Sequence, residues 1–234
     1  MALPKLNNTP KYELTVPSSG EVIRHRPFLV KEEKVLMMAA ETGEQKDTIN
    51  ALVDTIKACV ESDFDVNKLT TFDVEYIFLQ LRSKSIGETT KINLKCKECG
   101  TENPVSVNLN EIKIDMPKIE KHIKLQDDIA VDLDYPTFND ILQFGTEITG
   151  TEMAFKLLTK CIIAIHSGEE RIVAKDVQES ELIEFMESMN TEQFTKLRSF
   201  IDEMPKLQHN VSFCCKNCAS ANDMLVEGLD SFLS

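Results

Sequence analysis

Two Cys-x-x-Cys pairs, Cys96/Cys99 and Cys215/Cys218, are the residues of this 234-residue chain whose type and spacing point most directly to chemistry. Two residues between thiolates let one tight turn present both sulfurs to a single ion at about 2.3 Å, and two such knuckles supply the four ligands of a tetrahedral structural zinc site. Four sulfurs leave no open position for water or substrate, so the zinc expected here is structural and not catalytic. Cys214 alternates with Cys215 and is a rival ligand, but only Cys215 makes a Cys-x-x-Cys with Cys218. His209 is a further alternative. Cys59 and Cys161 fall on apolar helix faces and read as buried thiols.

Each knuckle sits between segments that alternate like strands. Lys91-Ile-Asn-Leu-Lys precedes the first and Val105-Ser-Val107-Asn-Leu109 follows it; Val211-Ser-Phe213 precedes the second and Met-Leu-Val226 follows it. Strand, knuckle, strand is the half-unit of a zinc ribbon, so the metal is expected to join the two ends of a long insertion. Apart from this doubled knuckle the chain shows no internal repeat.

The elements that must position the knuckles follow from periodicity and turn residues. After an arm over the first ten residues, Tyr12-Glu-Leu14-Thr-Val16 and residues 21–28 flank Pro17-Ser-Ser-Gly20 as a hairpin. Helical patterns run over residues 31–40, ending near Gly43, and over 45–60 with Ile49, Leu52, Val53, Ile56 and Val60 on one face. A third helix is capped by Thr70 or Thr71, carries Val74, Ile77, Phe78 and Leu81 as a stripe, and leaves at Gly87. Phe72, Tyr76, Phe78 and Leu79 cover more than one of its faces, so it is either central in the core or shared with a partner. Residues 123–125 and 129–133 alternate around Gln126-Asp-Asp128 as a second hairpin. Thr137 with Asp140 reads as a capping box for a helix to about Phe144, and Thr151 caps a helix over residues 152–165. Two acidic amphipathic helices, over about residues 180–189 and 191–204, stop at Pro205.

The resulting expectation is an α+β fold. It comprises an N-terminal arm and hairpin (residues 1–30), a helical segment (31–90), the first knuckle (91–110), a hairpin plus helical insertion (111–206) and the second knuckle (207–234), which closes one composite domain.

Composition excludes several function classes. A formal charge of −13 and a pI near 4.8 do not suit binding by phosphate neutralisation, and Lys91, Lys95 and Lys97 around the first knuckle are diluted by Glu98 and Glu102. Residues 169–204 are strongly acidic and face solvent or a basic protein partner. The contrasting basic cluster Arg24, His25, Arg26, Lys31 and Lys34 reads as a hairpin edge protected by charge. The four histidines, His25, His122, His166 and His209, are scattered and read as surface or strand-edge residues, since none forms a helical His pair. Neither a P-loop, a Gly-x-Gly-x-x-Gly nor a Gly-x-Ser-x-Gly occurs, and no acid/base pair can be identified, so no enzyme is expected. The first residues lack an apolar signal region and no apolar run approaches a membrane span, so a reducing cytoplasm is the expected compartment, where paired knuckles read as metal ligands.

Two longer segments carry a family resemblance. Arg26-Pro-Phe-Leu-Val-Lys-Glu-Glu-Lys34 and Phe72-Asp-Val-Glu-Tyr-Ile-Phe-Leu-Gln-Leu-Arg-Ser-Lys-Ser-Ile-Gly-Glu88 resemble the T-even-type bacteriophage baseplate proteins, and the resemblance extends through both knuckles. It implies a component of the central hub of a contractile tail, or a factor that assembles it, with no catalytic residues. The implied partners are other tail or hub proteins, the spike and tape-measure proteins among them, met in the host cytoplasm or in the virion baseplate. The rival from another class is a zinc-ribbon regulator binding nucleic acid or the transcription machinery.

Overall fold

The computed structural model describes residues 9–61, 65–144 and 151–232. Most of the expected N-terminal arm, up to Asn8, lies outside them, as does the side chain of Thr151. The chain forms two units, one from residues 1–66, 72–115 and 206–234, the other from 67–71 and 116–205. Helix and sheet are mixed in an α+β architecture. Among the described residues no helix is long and apolar enough to cross a membrane.

The first unit begins with the hairpin β1 (Tyr12–Thr15) and β2 (Val22–His25), paired in register from Tyr12 opposite His25 to Thr15 opposite Val22. Gly20, at φ 71°, donates its N–H to Val16 O at 2.8 Å and closes the turn from the left-handed region that suits glycine. Helix α1 (Val30–Thr42) ends at Gly43 in the left-handed conformation, and α2 (Gln45–Cys59) follows. The basic cluster does not form one surface patch. Arg24 pairs with Glu13, His25 is buried, and Arg26 Nη2 lies 2.9 Å from Oε1 of the buried Glu32, whose other oxygen accepts the Leu29 N–H at the start of α1.

Helix α3 (Thr71–Ser85) is the centre of this unit. Phe72, Val74, Ile77, Phe78, Leu79 and Leu81 are all buried, more than one apolar face, which is the signature of a core helix. Gly87 then releases the chain into β3 (Thr89–Lys95) and β4 (Glu102–Asn108), a seven-residue antiparallel pair.

The second unit is less helical than its periodicity suggests. Strands β5 (His122–Gln126) and β6 (Ile129–Leu133) form the expected hairpin, and Thr137 and Asp140 form the expected capping box of α4 (Phe138–Leu142). The helix expected over residues 152–165 stops early. Helix α5 (Thr151–Cys161) gives way to β7 (Ile162–Ser167), which pairs with β6 on one side and with β8 (Glu170–Val173) on the other. The β-branched Ile162, Ile163 and Ile165 suit a strand, and the open edge of β6 offers backbone partners that local periodicity does not reveal. The sheet order is β5-β6-β7-β8. Helices α6 (Glu179–Glu187) and α7 (Thr191–Asp202) cover its apolar face, where Val131, Leu133, Leu158, Leu182, Met186, Leu197 and Phe200 are buried together.

The chain then returns to the first unit as β9 (Gln208–Cys214) and β10 (Ala221–Glu227), a second seven-residue hairpin. A last turn over Leu229–Phe232 buries Leu229 and Phe232.

Candidate metal centre

The two knuckle hairpins fold by the same local bonds. In the first, Cys96 N–H donates to Thr101 O and Gly100 N–H to Cys96 O, each at 2.9 Å. In the second, Cys215 N–H donates to Ser220 O and Ala219 N–H to Cys215 O, again at 2.9 Å. Both turns need a left-handed residue, supplied by Gly100 at φ 69° and by Ala219 at φ 56°. The hairpin bases match as well: Leu109 N–H donates to Glu88 O and Gly228 N–H to Leu207 O, each at 2.8 Å.

These equivalent hairpins bring their tips together. Cys96 Sγ lies 3.7 Å from Cys218 Sγ and Cys99 Sγ lies 3.6 Å from Cys215 Sγ, across 122 and 116 residues of sequence. All four sulfurs fall within 4.8 Å of one another. Four ligands at about 2.3 Å from a tetrahedral ion stand about 3.8 Å apart, so the four thiols could hold a metal ion with little rearrangement. Cys96 and Cys215 are buried; Cys99 and Cys218 are exposed. Cys214 is exposed and outside the cluster; His209, half-buried in β9 opposite Val226, is outside it too. Cys59 and Cys161 are buried away from it, and burial pushes their thiols up to about 11 and about 12, which keeps them protonated.

A pair of buried asparagines braces the sulfurs from opposite sides. Asn222 of the second hairpin donates its amide to Cys96 Sγ at 3.5 Å and accepts the Lys97 N–H at 2.9 Å. Asn103 of the first hairpin donates to Cys215 Sγ at 3.7 Å and accepts the Lys216 N–H at 2.8 Å. Each amide also donates to its own turn, Asn222 to Ser220 O and Asn103 to Thr101 O. The signal was in the sequence, since each knuckle continues as Cys-x-x-Cys-x-x-x-Asn, but an Asn acquires this role only when two hairpins face each other.

The surroundings act differently on Cys96, Cys99 and Cys218. Thr101, through its hydroxyl and then its backbone, draws the Cys99 thiol down to about 6, and the Cys99 N–H in turn lowers Cys96. The Ser220 N–H favours ionisation of Cys218, but the sulfurs of Cys99, Cys215 and Cys96 beside it outweigh that donor and push Cys218 up to about 12. The surroundings therefore favour the thiolate at Cys99 and Cys96 and oppose it at Cys218.

A second cluster was not legible from spacing. His122, Asp132 and His166 converge on three neighbouring strands of the other unit. With residues 162–165 read as helix, His166 had no place on the sheet.

Two equivalent knuckle hairpins close on each other across a long insertion and bring together four thiols that could hold a metal ion. The chain belongs to the T4 bacteriophage base plate protein family, whose model matches residues 9–234. It is 25% identical over 222 residues to the baseplate hub assembly protein gp26 of Enterobacteria phage T4, spanning 95% of this chain and 97% of that protein. No solved structure matches.

Proposed function

We propose that this protein acts in building the central hub of a contractile phage tail baseplate, through protein–protein contacts and without catalysis, and that Cys96, Cys99, Cys215 and Cys218 bind one structural zinc. The similarity to a hub assembly protein over nearly the full length of both chains carries the assembly reading. The sulfur spacing carries the zinc reading, and four soft thiolates with two amide braces suit Zn2+ better than a hard cation. On this reading β3, β4, β9 and β10 form a zinc ribbon whose two halves close one composite domain around the insertion. The partners are other hub proteins, met in the host cytoplasm during assembly or retained in the baseplate.

The test is mass spectrometry of proteins co-purifying with a tagged copy expressed at native level in infected cells, washed at moderate salt. Recovery of hub, spike or tape-measure proteins is expected. Recovery of RNA polymerase or nucleic acid without tail proteins would replace this reading with that of a zinc-ribbon regulator.

A further inference from the structure

We propose that His122, Asp132 and His166 form a second metal site, an open one that takes a divalent transition-metal ion such as Zn2+ on three protein ligands. In the sheet register His122 stands opposite Asp132, Asp132 opposite Ala164, and His166 two residues beyond Ala164. All three side chains therefore rise from the face opposite the buried Val131 and Leu133. His122 Nδ1 lies 2.7 Å from Asp132 Oδ1 and His166 Nε2 lies 2.7 Å from Asp132 Oδ2, with the imidazole centroids 5.5 Å apart.

Those are hydrogen-bond distances, so to bind an ion each imidazole turns a lone pair toward it and carries its hydrogen on the other ring nitrogen. Bonds of about 2.0 Å to a tetrahedral ion set its ligand atoms about 3.3 Å apart, and one ligand atom from each of the three residues lies within 4.8 Å of the other two. Two neutral imidazoles and one carboxylate suit Zn2+, Ni2+ or Cu2+ and not Mg2+ or Ca2+. Exposure of His122, at 60% of its side chain, leaves water on the remaining position. Arg171 Nη2 lies 4.0 Å from Asp132 Oδ2 and is half exposed. Its charge opposes a cation, so the ion is weakly held and exchangeable, and the guanidinium turns outward when the ion binds. None of these residues belongs to the four-cysteine cluster or to its unit.

The experiment strips metal from the full chain and titrates it with Co2+ and Zn2+, following absorbance, bound equivalents and the histidine proton resonances. The wild type should take one tight equivalent with sulfur-to-cobalt charge transfer, then a weaker one without it that shifts only two histidines. H122A/H166A should lose the second equivalent alone, and Cys96→Ser with Cys99→Ser should lose the first alone. His122→Gln, a mild change at an exposed position, should weaken the second equivalent about tenfold or more, and Arg171→Ala should tighten it. A wild type that takes only the tight equivalent, or an H122A/H166A chain that keeps the weaker one, overturns the site. Loss of the charge-transfer equivalent while the second persists would instead count against the four-cysteine reading.

Discussion

Replacing Asn222 by Ala removes three bonds at once: the amide donor on Cys96 Sγ at 3.5 Å, the acceptor for Lys97 N–H at 2.9 Å and the donor to Ser220 O at 2.9 Å. The site is only 3% exposed, so water does not readily replace them. A hydrogen bond to a charged group contributes about 1.5–3 kcal/mol, and an orphaned buried N–H costs about 1–3 kcal/mol. The N–H loss destabilises both metal states, whereas the sulfur bond matters most when Cys96 is a thiolate on the ion. Zinc affinity should therefore fall by about 10- to 100-fold, or about 1.4–2.8 kcal/mol. Asn222→Asp should fall further, because it keeps the shape but brings a carboxylate to the thiolate. The matched geometry demands that Asn103→Ala behave like Asn222→Ala. Competition against a chromophoric chelator at fixed pH gives the affinities, and thermal unfolding of metal-free protein gives the metal-independent part. Unchanged zinc affinity in both alanine variants would refute the bracing argument, and a loss in only one would refute the equivalence of the hairpins.

Cys96→Ser with Cys99→Ser should abolish the tight zinc and lower the melting transition of the first unit by roughly 10 °C or more, as several kcal/mol of metal-linked stability is lost; metal content equal to wild type would remove the shared site. Ala219→Gly should stabilise the protein by up to about 1 kcal/mol in urea melts, since a residue at φ 56° strains any side chain. Burial pushes the Glu75 carboxyl up to about 7; the Leu229 N–H opposes that rise and the Asp230 charge adds to it. A raised carboxyl pKa contributes stability that is complete below the unfolded value near 4.5 and lost as pH rises through about 7. Glu75→Gln should thus gain up to about 3 kcal/mol over wild type at pH 8 relative to pH 4, and equal urea midpoints at the two pH values would contradict the assignment.

Local signals are legible where the physics is local. Gly20 and Gly43 end their elements in the left-handed region, and Thr137 with Asp140 makes the capping box that their spacing predicts. The cysteine pairs were legible because each is set by one turn. The meeting of the two pairs follows from ligand number alone, and the sulfurs do converge. What failed depends on partners distant in sequence. Residues 162–165 carry an apolar run compatible with either period, and only the edges of β6 and β8 make them a strand. That reading withholds the strand that carries His166, and starting the first strand at residue 123 leaves His122 outside the hairpin, so the cluster with Asp132 is not visible. The basic residues 24–34 likewise read as a charged hairpin edge, because the buried Glu32 that pairs with Arg26 is visible only in three dimensions.

The insertion of residues 116–205 between the hairpins gives the proposed zinc its energetic role. Holding the ends of a loop of about a hundred residues together costs about 5 kcal/mol of chain entropy, whereas a four-thiolate zinc contributes about 10–16 kcal/mol. The proposed ion thus exceeds the closure cost about two- to threefold, while the two asparagine braces, at a few kcal/mol together, do not by themselves offset it. On the zinc reading the braces fix which way the hairpins face, and the metal decides whether they stay together. Through β10 the same clasp holds the last turn, where Leu229 and Phe232 are buried and the Leu229 N–H meets Glu75 on α3. Metal loading should therefore order the C-terminal residues of the first unit as well as the knuckles. Amide hydrogen exchange gives the check: protection at residues 221–232 should fall with zinc removal, and protection that persists in the metal-free chain would show that packing alone closes the loop.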